Sequence, residues 1–120
     1  MGGLRTRWLG DVVALRDGER LALPGAPEIV ALPGHSPGSI AVYFPTRKTV
    51  FVGDALTTRD VLTATKGPRP APFTDDQTAA DASLDRLREL DIELVVPGHG
   101  APWRGGAAEL VDRYRAAAAA

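Results

Sequence analysis

Two apolar runs, Ile29-Val30-Ala31-Leu32 and Leu94-Val95-Val96, each stop at the same tripeptide, Pro-Gly-His. The runs are short and rich in β-branched residues, as in buried strands. Proline ends each strand, and glycine lets the chain turn sharply so that the next side chain projects at a rim. A third run, Val50-Phe51-Val52, ends in Gly53-Asp54. Three strand ends therefore carry His35, Asp54 and His99, and the chain's only two histidines are both spent there. Two imidazoles and a carboxylate suit zinc, iron or manganese.

The rest of the composition narrows the alternatives. A chain of 120 residues supports one domain with a small core. With 14 basic and 15 acidic residues in no long block, nucleic acid and anionic membranes are not expected as partners. There are no cysteines, which excludes disulfides and thiolate metal sites. No apolar run approaches the roughly 18–20 residues of a membrane span. Met1–Arg5 lacks the apolar core of a signal peptide, so a cytoplasmic location is expected.

Along the chain, Asp11–Arg16 and Arg20–Leu23 flank Asp17-Gly18, which predicts a hairpin. Strands are expected over Glu28–Leu32, Ile40–Phe44 and Thr49–Val52, with a turn at Pro45–Lys48. Lys66–Pro72 holds three prolines and a glycine and is expected to be irregular, running near Asp54 where it can line substrate access. Thr74 and Gln77 form a capping-box pattern, predicting a helix from Thr74 with Ala80, Leu84 and Leu87 as its apolar stripe. Ile92–Val96 is the next strand. A last helix follows Gly105-Gly106, turning Leu110, Val111 and Tyr114 inward, and Ala116–Ala120 is expected to fray. Trp103 is expected to serve packing.

Other chemistry is weaker. Ser36-Pro37-Gly38-Ser39 reads as a turn, and no Ser-His-Asp order accompanies it. Asp75 and Asp76 read as residues that start a helix.

Ala31-Leu32-Pro33-Gly34-His35-Ser36-Pro37-Gly38-Ser39 resembles the third metal motif of the metallo-β-lactamase superfamily. Phe51-Val52-Gly53-Asp54-Ala55-Leu56 resembles its fourth, and Val96-Pro97-Gly98-His99-Gly100 its fifth. The closest branch in flavour is that of glyoxalase-II-like and lactonase-like hydrolases. The resemblance implies an αβ/βα sandwich with metals at one edge. His35 would complete the first metal site, Asp54 would bridge both ions, and His99 would complete the second. It further implies attack by a metal-activated hydroxide on a carbonyl or phosphoryl group, with Asp54 as the catalytic carboxylate.

One part of the pattern is missing. The family's first motif, His-x-His-x-Asp-His, has no counterpart here. Three ligands remain, enough for one ion held by His35, Asp54 and His99. The expected fold class is α/β, a mixed sheet with helices on one face, forming half of the sandwich. A single partial domain is expected over residues 1–120, with a lead at 1–16, the family-like region at 17–115 and an alanine tail at 116–120. Met1-Gly2-Gly3-Leu4 looks like the continuation of the missing motif, so a fragment of a larger hydrolase is one expectation. An uncovered apolar sheet face is another, and it would support a homodimer or the docking of a separate first half. The implied substrates are small-molecule esters, thioesters or lactones. The alternative is a non-catalytic half-domain that serves association.

Overall fold

The computed structural model describes residues 9–120. The Met1–Leu4 continuation lies outside the described residues. Seven strands and two α-helices follow in order: β1 (Glu28–Ala31), β2 (Ile40–Phe44), β3 (Thr49–Gly53), β4 (Thr57–Arg59), β5 (Lys66–Arg69), α1 (Gln77–Ser83), β6 (Leu94–Pro97), β7 (Trp103–Arg104) and α2 (Ala107–Ala119). The main sheet has the order β1-β2-β3-β6-β7, and β4 and β5 form a separate ribbon. This is the mixed α/β architecture expected from the sequence.

The pairing directions decide where the site falls. β1 is antiparallel to β2, β2 is antiparallel to β3, and β3 is parallel to β6. Hence β1, β3 and β6 all run the same way. Their carboxyl ends lie on one edge of the sheet, where ligands gather in open α/β sheets.

Alternation separates the two faces of β2 and β3, while in β1 both Ile29 and Val30 are buried. Val30, Ala41, Tyr43, Val50, Val52 and Val95 are buried on one side. They join Leu84, Leu87, Leu110, Val111 and Tyr114 from the helical layer in one core. Gln77 Nε2 donates to the buried Tyr114 hydroxyl at 2.8 Å, satisfying its polar tip. The helical layer is laced by Arg115, which pairs with Asp81 and Asp85, and by Arg88, which pairs with Asp85 and Asp112. On the opposite side Phe51 is 46% exposed, flanked in register by Val42 and Val96.

Several local expectations change. Asp11–Arg16 forms no strand. Instead Glu19 and Leu21 meet Ile29 and Pro27 through backbone hydrogen bonds, with one bridge between Arg20 and Glu28. Asp17 is drawn away by Arg86 and by the Ala31 amide, so it closes no hairpin. Lys66–Arg69 is extended rather than irregular, because a two-stranded ribbon tolerates a proline that a central strand would not. Helix α1 begins at Gln77 with Asp76 as its N-cap, accepting from the Ala79 amide at 2.9 Å. Leu84–Glu89 continues it as a 3-10 helix, although Leu84 and Leu87 are buried as expected. The alanine tail stays helical through Ala119. Trp103 packs on the core.

Candidate metal centre

The first Pro-Gly-His turn is clamped from behind. Gly34 has φ +148°, and a Cβ there would stand 2.3 Å from the backbone of Ala80. Only glycine lets helix α1 approach this closely. The Gly34 carbonyl accepts from the Asp76 amide and the His35 carbonyl from the Asp75 amide. Ser83 Oγ donates to the Pro33 carbonyl at 2.7 Å. The side chains of Ser36 and Ser39 bond to each other at 2.8 Å, as a turn reading predicts.

The second turn is held by two buried threonines that the sequence did not single out. Thr57 Oγ1 lies 2.9 Å from the His99 carbonyl, and the Thr58 amide donates to the same oxygen at 3.2 Å. Gly98 N donates to the Gly53 carbonyl at 2.8 Å, which joins this turn to the one that carries Asp54.

His35, Asp54 and His99 meet in one cleft of about 160 Å³, walled by Val61, Ala71, Pro72 and Phe73. Asp54 sits between the rings. Its Oδ2 is 3.6 Å from His35 Nε2, and its Oδ1 accepts from His99 Nδ1 at 2.9 Å. Of the Lys66–Pro72 segment expected near Asp54, Ala71 and Pro72 line this cleft. Asp60 pins the neighbouring turn that presents Val61. The amides of Leu62 and Thr63 bond to its carboxylate and hold it below the usual carboxyl range.

The donor set is right for a divalent ion, and one edge has its spacing. An ion with ligands at about 2.1 Å in tetrahedral geometry holds its N and O donors roughly 3.4 Å apart. The His35–Asp54 separation of 3.6 Å matches that. The His99–Asp54 contact is a hydrogen bond instead. The His99 side chain is 52% exposed and has room to turn toward an ion. Among the described residues no group of three or more His, Cys, Asp or Glu side chains is closed around a metal position. The residues present therefore fit as part of a coordination set.

Three strand ends that run the same way thus bring two histidines and an aspartate to one edge of the sheet. Residues 3–99 match the model of the metallo-beta-lactamase superfamily, and the chain belongs to that family. It is 36% identical over 85 residues to the probable metallo-hydrolase YflN of Bacillus subtilis, covering 63% of this chain and 32% of that protein. It is 38% identical over 89 residues to a hydroxyacylglutathione hydrolase of Ruegeria pomeroyi, covering 72% of this chain and 32% of the relative. The crystal structure of TTHA1623 in a di-iron-bound form is 36% identical, with a TM-score of 0.58 over 86% of this chain and 46% of the other. The chain thus spans about a third of the length of the curated relatives it matches. Among the described residues no helix is long and apolar enough to cross a membrane.

Proposed function

We propose that this chain supplies His35, Asp54 and His99 to the metal centre of a hydrolase that cleaves esters, thioesters or lactones, working in the cytoplasm. The observation that carries this reading is the convergence of all three donors from parallel strand ends on one cleft. Bound there, zinc, iron or manganese supplies a Lewis acid that polarises a carbonyl and acidifies water. His35 and Asp54 would hold such an ion, with His99 as the third donor. Asp54 also offers an oxygen to orient water or take its proton, and His99 covers the solvent side. Val61 and Phe73, both exposed, offer apolar walls to an acyl group. The similarity to a hydroxyacylglutathione hydrolase favours a thioester.

The test is metal content per chain by elemental analysis, after purification without chelator, beside a His35→Ala/His99→Ala variant. About one ion per chain that is lost in the variant supports the reading. Hydrolysis of thioester, ester and lactone probes, abolished by a chelator, then ranks the substrates. No metal in either protein overturns autonomous metal binding.

The open sheet face favours a second role, association with a second copy. On this side β2, β3 and β6 carry only uncharged residues, with Phe51 at the centre and the Phe44 ring edge-on to it at 5.8 Å. Two copies can meet there without burying a charge. Sedimentation should give a dimer that chelators leave intact and Phe51→Glu dissociates. A wild-type monomer at every concentration overturns this role.

A further inference from the structure

Thr74 does not cap helix α1. Its hydroxyl donates to the Ala71 carbonyl at 2.8 Å and lies 3.2 Å from His35 Nδ1. A threonine hydroxyl has one hydrogen, and here it is committed to a carbonyl, which can only accept. The contact with His35 can then be a hydrogen bond only if Nδ1 carries a proton and donates it. In a neutral ring this leaves Nε2 as a lone pair, and Nε2 is the atom facing Asp54 Oδ2 across 3.6 Å. We propose that Thr74 is a positioning residue that fixes His35 as its Nδ1–H tautomer and so presents the Nε2 lone pair to the metal-binding edge. The reason for presenting it rests on the functional reading above; the tautomer does not.

The surrounding backbone makes the arrangement stiff. The segment that carries Thr74 is tied to the histidine turn by the Asp75 amide on the His35 carbonyl and the Asp76 amide on the Gly34 carbonyl. Thr74 and His35 therefore belong to one hydrogen-bonded unit, although 39 residues separate them in sequence. The partner of His99 differs in kind, because its Nδ1 donates directly to Asp54. The two rings are thus prepared unequally, His35 by a fixed hydroxyl and His99 by the carboxylate itself. A partner that orients a ligating imidazole commonly contributes about 10–100-fold in metal affinity.

The experiment is long-range proton–nitrogen NMR of the metal-free full chain, which reads the tautomer of each imidazole, with zinc titration alongside. His35 should be Nδ1–H in the wild type, shift toward Nε2–H in Thr74→Val, and return in Thr74→Ser. The His99 signals should stay in place in both variants, which shows that the fold has survived. Zinc affinity should fall by about 10–100-fold in Thr74→Val and recover in Thr74→Ser. A His35 ring that is Nε2–H in the wild type, or unmoved by Thr74→Val, overturns the proposal. Tautomers that behave as expected in a protein that binds no zinc uphold the role of Thr74 and overturn the metal-centre reading.

Discussion

Gly98 lies against Asp54 so closely that a Cβ on it would stand 2.6 Å from Oδ1. The atom it would strike is the mobile end of a side chain, so the carboxylate would swing aside rather than the backbone. Gly98→Ala should fold normally, lose the Asp54–His99 hydrogen bond and bind zinc at least tenfold more weakly. Thermal melting and metal titration check the two halves of this expectation.

Gly34→Ala should behave in the opposite way. The new methyl would meet the backbone of Ala80, and φ of +148° adds strain for any L side chain. Neither obstacle can rotate away. The expected loss is about 3 kcal/mol of stability, measured by denaturant unfolding.

Asp17 links strand β1 to the helical layer through Arg86 at 2.8 Å and the Ala31 amide at 2.9 Å. The Arg86 guanidinium first, and then that amide, hold its carboxyl below the ordinary value of 3.8. A lowered folded-state pKa means that the ionised form stabilises the fold. Its contribution is complete above pH 3.8 and disappears as pH falls from there through the folded-state value. Asp17→Asn should be less stable than the wild type at pH 7, and the difference should shrink below pH 3.8. The effect is small because Asp17 is 45% exposed and salt screens it. Paired melting curves across pH test this.

Leu110 is fully buried between α2 and the rest of the core. Leu110→Ala leaves a cavity and should cost about 2–5 kcal/mol. Urea unfolding of the variant measures it.

The strands were the legible part of the fold. Ile40–Phe44 lies where its alternation places it, because one face packs on helices and the other does not. The three ligand candidates were legible for a similar reason, since each directly follows an apolar run. The relationships among them were not. Thr74 carries the local signature of a cap, and Asp76 outcompetes it by bonding the Ala79 amide. A spacing rule that looks three residues ahead cannot register an imidazole 39 residues behind. Thr57 and Thr58 carry no local signal for the same reason, as their partner is the distant His99 carbonyl. Lys66–Arg69 was hidden by its proline, which bars a central strand but not a ribbon.

The parallel pairing of β3 with β6 has a kinetic consequence. Hairpins bring β1, β2 and β3 together over short loops, but β6 must return across the whole ribbon and helical crossover before it can dock. Asp54 and His99, 45 residues apart, meet only when that slow closure is complete. The edge that carries Asp54 and His99 is therefore expected to form late in folding. An ion held by both residues would not guide the early steps and would stabilise only the folded chain.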